Sequence, residues 1–443
     1  MGSYAHFWID DMHVGCTKNG VDARLLDLFD GSDKVVIADR SRPVPLQVRG
    51  WLEEFAEDEP LKVAFYRTTV EIARDELELA GVTLDTAKEA YSQAVSHEIS
   101  AWERDNHPAN SEWRNGILGS LRPLDVDTWL ASFREIRRRG VHAGSTEAHD
   151  SSSIGYLLGK DWCGYPGRDP RVMLRLALEA WPAATDIFYD VTDLILQEQI
   201  EIDEDLHSPQ GDLPQYVCPM PSRTVIVTEG RSDSWILQES MQLLFPHLAS
   251  SFTFMDFEGF RVGGGAGALA NLVKAFAAAG IANRVIAVFD NDTAAHAALA
   301  SLSRVRLPAN IRLLSLPELD LLRSYPTLGP GGLTHLDVNG MAASIELYLG
   351  HDVLGDGAGS FQPVQWTGFE QSMGRYQGEV LGKVELHQRF ENKLARARTD
   401  RSHIGSMDWD GLRLIMRKIF SAFHEIDRSG ILAWNMIDAM FVP

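Results

Sequence analysis

The chain is poor in cysteine, in positive charge and in long apolar runs, and each shortage closes off a class of function. Of 443 residues only three are cysteine (Cys16, Cys163 and Cys218), far apart and without a Cys-x-x-Cys pair. That spacing excludes a disulfide framework and a zinc knuckle, and it fits a reducing cytoplasm. No stretch reaches the roughly 18 uncharged apolar residues of a membrane span. Asp10 and Asp11 stand where a signal peptide would need its apolar segment. The expectation is a soluble, cytoplasmic protein with no membrane contact. Lys and Arg number 41 against 62 Asp and Glu, for a net charge of −21. A generalised electrostatic grip on nucleic acid is therefore excluded, and any such grip must come from a local basic patch or a bound cation. The Walker lysine, His-Glu-x-x-His and Gly-x-Ser-x-Gly motifs are also missing, which disfavours a built-in ATPase, a zinc protease and a serine hydrolase. An ATPase, if one is needed, is a separate partner subunit. Homo-oligomerisation stays open.

What is present falls into blocks. Residues 1–45 hold two apolar runs, "YAHFWID" and "KVVIAD", with Asn19-Gly20 between them as a turn signal, and read as a small β-containing segment. Residues 46–203 place apolar side chains at three- and four-residue spacing, as in "LKVAFYRTTVEIARDELELA" and "LDVDTWLASFREIRRRG". They read as an all-helical domain, with Gly81 and Gly140 at helix ends and Pro182 as a breaker. Residues 204–221 carry four prolines and form the clearest linker. From 222 to 325 strand and helix alternate: "RTVIVTEG", "SDSWILQESMQLLF", "SFTFMDF", "GGGAGALANLVKAFAAAG", "RVIAVFDND", "TAAHAALASLSRV" and "IRLLSLPE". That order predicts a small parallel sheet with helices on both faces. Residues 333–443 read as mostly helical.

Two strand ends in the alternating block carry acids. The first gives Glu229, Gly230 and, opening the next helix, Asp233; the third gives Asp290 and Asp292. Ligands of open parallel sheets sit beyond the C-terminal strand ends. If these two strands are neighbours, Glu229, Asp290 and Asp292 meet on one rim, and three carboxylates suit Mg²⁺ or Mn²⁺. The bland alternative is helix capping, by Asp292 before "TAAHAALA" and by Asp233.

"VIVTEGRSD" followed by "VIAVFDNDTA" resembles the Toprim domain, whose marks are a strand-end Glu-Gly and a later strand-end Asp-x-Asp. The resemblance covers about residues 220 to 325. It implies that Glu229 acts as general acid or base and that Asp290 and Asp292 hold a divalent metal. The opening "MGSYAHFWIDD", the helical block and "GMAASIELYLG" resemble HEPN/Toprim-associated proteins. That likeness implies a HEPN-like helical domain followed by a Toprim-like catalytic module that the C-terminal helices complete. It also implies a Mg²⁺-dependent nuclease acting on RNA or DNA, in antiviral defence or as a toxin. Extra carboxylates join the metal in related nucleases, which makes Glu346 a candidate ligand.

Three further signals compete. "GGGAGA" at 263–268 has the form of a dinucleotide fingerprint, but its first glycine does not directly follow the strand. Arg137 and His142 fit the Arg-x4–6-His pattern of HEPN ribonucleases, which would give metal-free RNA cleavage. Arg138 departs from the residue usual there, and arginines before Gly140 also suit a helix C-terminus. "HQRFENKLARARTDRSH" carries five basic residues against two acids. It offers Arg389, Lys393, Arg396 and Arg398 as phosphate contacts, or simply a solvated helix face. Trp366 and Tyr376 could stack on bases or pack in a core. A non-catalytic Toprim-like module that binds nucleic acid or a partner is the remaining reading.

Overall fold

The computed structural model describes residues 2–39, 45–53, 61–104, 111–140, 153–207, 223–256, 263–355 and 360–435. The chain divides into two units. One comprises residues 1–220 and 424–443, the other residues 221–423.

The first unit is built on a five-stranded sheet in the order β2-β1-β5-β4-β3. Its strands are β1 (Tyr4–Ile9), β2 (Met12–Lys18), β3 (Lys34–Ile37), β4 (Val63–Thr69) and β5 (Asp186–Asp190), all paired antiparallel. β1 shows the two-residue period: Ala5, Phe7 and Ile9 are fully buried, while Tyr4, His6 and Trp8 face the other way and are half-buried. The buried face packs under the helices Val70–Leu79, Leu84–Arg104, Val126–Arg139 and Pro170–Ala177, with Ala73, Tyr91, Phe133 and Leu174 in one core. On the other face Trp51 donates to the buried carboxylate of Asp190 at 2.6 Å, and the rings of His6 and His13 meet at 3.1 Å.

Three expectations change here. The first strand turns back through Asp10, at φ 56°, into β2, so Asn19-Gly20 follows the hairpin rather than joining "YAHFWID" to "KVVIAD". Residues 46–203 are not all helical, because "VAFYRTT" and "DIFYD" are β4 and β5, the centre of the sheet. Both strands are buried on both faces, which removes the alternation that marks a half-exposed strand and leaves a short apolar run that reads equally as helix. Residues 1–45 and 46–203 consequently share one unit. The helix Val126–Arg139 ends as expected, on Gly140 in the left-handed region. The helix His424–Asn435 also belongs to this unit: Ile431 enters the same core, and Arg428 pairs with Glu89.

Glu76 sits in this unit among Asp27, Asp75, Asp30 and Asp33. Burial, followed by those repulsions, pushes its carboxyl up to about 8. The folded pKa lies above the unfolded one, so the fold holds a proton that the unfolded chain releases. The contribution of Glu76 is then full below about pH 4.5 and is lost as pH rises towards 8, by at most about 1.4 kcal/mol per unit. Glu76→Gln mimics the protonated form. It should stabilise the protein by on the order of 2 kcal/mol at pH 8 and leave it unchanged near pH 4.5, read by chemical denaturation at both pH values. An unaltered pH profile in the variant would place the dependence elsewhere.

The second unit contains a parallel sheet in the order β10-β8-β6-β7, from β6 (Thr224–Thr228), β7 (Phe252–Phe254), β8 (Val285–Phe289) and β10 (Ile311–Ser315). Every residue of β8 is buried, as a central strand covered on both faces requires. Val227, Ala287 and Phe289 pack with Leu269 and Val273 of the helix Ala266–Ala279 and with Ala295 of the helix Thr293–Leu302. The helix Arg231–Leu244 is covered by the helices Lys383–Thr399 and Asp410–Phe420.

The region after residue 325 is less helical than expected. It opens with a second four-stranded sheet in the order β12-β11-β14-β15: β11 (Tyr325–Gly329), β12 (Gly332–Leu336), β14 (Val364–Glu370) and β15 (Arg375–Val380). β12 is exposed along its whole length and β14 along most of it, so little hydrophobic alternation was there to read. A two-residue pairing of β9 (Asn291–Asp292) with β13 (Ala342–Ala343) ties the end of β8 to the segment that carries Glu346.

Candidate functional site

β6 and β8 are hydrogen-bonded neighbours, so their C-terminal ends, carrying Glu229 and Asp290, lie side by side. The contact is direct: the backbone N–H of Asp290 donates to Glu229 Oε1 at 3.0 Å. Asp292 follows on β9, and its pairing partner Ala342 stands two residues before Ser344 and four before Glu346. Asp233 enters from the first turn of the helix Arg231–Leu244. Two strand ends, a bridge, a helix start and a buried 3-10 turn (Ile345–Tyr348) thus supply one carboxylate each, five in all.

The electrostatics are those of excess negative charge. Burial raises Asp290 well above the carboxylate range, and Asp233, Glu229, Asp292 and Glu346 all add repulsion. Glu229 is pushed up to about 7 by burial and then by Asp292 and Asp233, with the Asp290 N–H opposing. Asp233 also reaches about 7, through burial and Glu346. Asp292 is raised by burial and partly relieved by the Ala295 N–H and His296. Glu346, 3% exposed, behaves in the opposite way. Burial alone would raise it, yet His387, Lys383 and Ser344 together pull it down to about 2. Its Oε1 meets His387 Nε2 at 3.2 Å, its Oε2 accepts from Ser344 Oγ at 2.5 Å, and Lys383 Nζ lies 3.9 Å from it. Glu346 is therefore held ionised, and its charge bears on Asp233 and Asp290.

Oxygen-only donors in this number suit a hard divalent cation such as Mg²⁺ or Mn²⁺, whose charge would offset the repulsion. Among the described residues no three His, Cys, Asp or Glu side chains converge as ready-made metal ligands. One oxygen each of Glu229 and Asp292 is already engaged by a backbone N–H.

Asp292 plays its bland role in full. It is the N-cap of the helix Thr293–Leu302, accepting from the Ala295 N–H at 2.7 Å. Capping and a place on the rim are compatible, because the second carboxylate oxygen remains. Asp292→Asn keeps a good cap and should melt no lower than wild type, whereas Asp292→Ala should cost about 1 kcal/mol in thermal unfolding relative to Asp292→Asn. Loss of metal response in both variants would assign the rim role to the carboxylate charge; a normal response in Asp292→Asn would leave Asp292 a cap alone.

The glycine run also has a local explanation. Gly265, at φ +96°, donates its N–H to the carbonyl of Glu229 at 2.6 Å, and a Cβ on Gly264 would come within 3.0 Å of that same oxygen. These glycines press the loop against the end of β6 and so fix Glu229.

Sequence reasoning missed Ser344, Lys383 and His387. Lys383 carried one signal, since a cation in the first turn of a helix opposes the helix dipole and needs another reason to be there. His387 lies one turn further on the same face.

The proposed phosphate contacts separate. Lys393 is a correction: it is 4% exposed, and its ammonium donates to Leu349 O and Asp352 Oδ1, both at 2.8 Å, and to Asp408 O. It falls on the buried stripe Leu386, Phe390, Lys393, Leu394 and Ala397, so it is turned away from solvent. Arg389 donates to the carbonyls of Val353 and Gly355 and pairs with Glu385. Arg398 pairs with Glu239, and Arg396 is exposed. In the first unit Arg137 donates to Ala180 O at 2.9 Å, and His142 lies outside the described residues. Among the described residues no helix is long and apolar enough to cross a membrane.

A family model described as HEPN/Toprim N-terminal domain 1 matches residues 1–206, a little under half of the chain. Neither a curated protein nor a solved structure matches it.

Proposed function

We propose that this chain, which carries a HEPN/Toprim N-terminal domain, is a Mg²⁺- or Mn²⁺-dependent nuclease that hydrolyses phosphodiester bonds of RNA or DNA at the rim of its parallel sheet. The observation that carries the reading is Asp290, buried at the end of β8 where Glu229, Asp233, Asp292 and Glu346 all repel its charge. Glu229, Asp290, Asp292 and Glu346 would hold the cation, with Asp233 beside them. A cation there supplies charge neutralisation for the phosphate and a more acidic water. Glu229, with its carboxyl near 7, is poised to take or give a proton close to neutral pH. Lys383 and His387 keep Glu346 ionised. In a chain with 21 excess negative charges, the cation also reconciles an acidic protein with an acidic substrate. The role in antiviral defence or as a toxin rests on the family resemblance.

The metal-free reading through Arg137 and His142 has less support, because Arg137 is engaged with a carbonyl of its own unit. Cleavage assays on RNA and DNA with Mg²⁺, Mn²⁺ or EDTA separate the readings. Metal-dependent cutting that survives His142→Ala supports the rim. Cutting that persists in EDTA and is lost in His142→Ala moves the activity to the first unit. Binding without cutting under any metal favours a non-catalytic module.

A further inference from the structure

One feature beside the rim is not explained by metal chemistry. The β14–β15 hairpin carries an aromatic stripe along one face. It starts in the core with the cross-strand pair Val364 and Val380, both buried. Next comes Trp366, which lies over Gly378, where a Cβ would sit only 3.0 Å from the indole. It ends on the cross-strand pair Phe369 and Tyr376, whose rings meet edge to face at 5.2 Å, with Trp366 and Tyr376 at 5.8 Å. Phe369 is 54% and Tyr376 57% exposed. Two large rings held rigidly by a third, and left in water, are unusual for a face without a ligand.

The hairpin is fixed to the rim by its backbone. Thr293, the residue after Asp292, donates its hydroxyl to the carbonyl of Tyr376 at 2.6 Å. Beside that bond Arg375 donates to the carbonyl of Gly340 rather than to a carboxylate; burial lowers the pKa of His296, one turn beyond Asp292, and the nearby Arg375 guanidinium adds to that. Leading outward from Asp292 there are therefore a histidine, an arginine and a pair of open rings.

From this juxtaposition we infer that Phe369 and Tyr376 form a stacking platform for an unpaired base of a nucleic-acid strand whose phosphates run past Arg375 to the carboxylate rim. The inference takes its strand from the nuclease reading and adds the substrate class: single-stranded or locally unpaired nucleic acid. Rings recognise any base by its face, but in a duplex that face is already stacked. The positive charge of Arg375 complements the phosphates, in a chain that otherwise repels them.

The test is binding without catalysis. Fluorescence anisotropy of a labelled short single strand, DNA or RNA, and of a duplex of the same sequence is measured in EDTA with the full chain. Wild type should prefer the single strand. The double variant Phe369→Ala, Tyr376→Ala should bind the single strand roughly tenfold or more weakly and leave duplex binding unaltered. Tyr376→Trp alone, which keeps a ring at that position, should bind the single strand like wild type. The side chains removed are exposed, and the bond to Thr293 uses backbone, so the thermal midpoint should hold. Binding in EDTA is read apart from metal-dependent cutting, which separates this inference from the nuclease reading on which it rests: stacking without cutting sinks only the latter. Equal single-strand affinity in the double variant overturns the platform, as does a wild type that binds no single strand. A double variant that changes oligomeric state in light scattering while binding normally overturns it too, and assigns the rings to an interface between copies.

Discussion

Asp290→Asn should abolish metal-dependent cleavage while making the metal-free protein more stable. Both effects come from one charge. Asp290 lies among four other carboxylates, and its ionised form is opposed by burial and by each of them. Asparagine has the same shape without the charge. The contacts that fix the strand end survive, because the bond to Glu229 uses the Asp290 N–H and the bond from Ser315 Oγ uses its carbonyl. Removing a repelled charge while keeping its backbone bonds should raise the unfolding midpoint in EDTA. With metal the order reverses. A cation at about a hundred times its Kd should stabilise wild type by about 2.7 kcal/mol and the variant hardly at all. Losing several kcal/mol of transition-state stabilisation corresponds to a rate lower by on the order of a thousandfold. Calorimetry with and without Mg²⁺ and a cleavage assay read both halves. A variant that cuts like wild type, or that melts lower in EDTA, would sink the assignment.

Lys393→Ala should be among the most damaging single changes in the second unit, at roughly 3 to 5 kcal/mol. The ammonium is buried and bonded to two carbonyls and to Asp352, and it lies 4.2 Å from the centre of the Trp409 ring. Burial pushes its pKa down, and the Asp352 hydrogen bond opposes that shift. Removing one partner of such a knot leaves the others desolvated and unpaired, which costs far more than the net worth of the pair. Gly350 shows how little room remains. At φ +100° its absent Cβ would lie 2.2 Å from Asp408 O and 2.8 Å from the ammonium. Arg396→Ala, on the exposed side of the same helix, should change stability by less than about 0.5 kcal/mol. Equal denaturation midpoints for the two variants would show that the buried lysine carries no such weight.

Lys393 also shows where sequence reading fails. A basic run invites a nucleic-acid reading, but the helical period places Lys393 with Leu386, Phe390, Leu394 and Ala397 on the covered stripe. Counting charges without phase hid that. The rim was legible because one element carries both signals: β8 is wholly apolar, and its acids follow at once. That β6 lies beside β8 was a conditional guess, since strand order depends on long-range packing that no local pattern encodes. Glu346 is reached only by resemblance, and its setting of Ser344, Lys383 and His387 arises where its own segment meets the helix Lys383–Thr399, far along the chain. β4 and β5 were lost to a different cause, for strands buried on both faces look like helix when read singly.

The helix His424–Asn435 has a consequence for the order of events in the cell. It seats Ile431 in the core of the first unit, and Arg428 on Glu89, yet it is made only after the entire second unit has been translated. At roughly 5 to 20 residues per second, translation from Leu206, the last core residue before the second unit, to His424 takes about 10 to 40 seconds. Through that interval the N-terminal unit lacks the helix His424–Asn435, and before its end the parallel sheet has all of its strands. The carboxylate centre is thus assembled before the unit that precedes it is finished, and a chain truncated before His424 by a nonsense codon would carry the rim but leave the seat of Ile431 open to water.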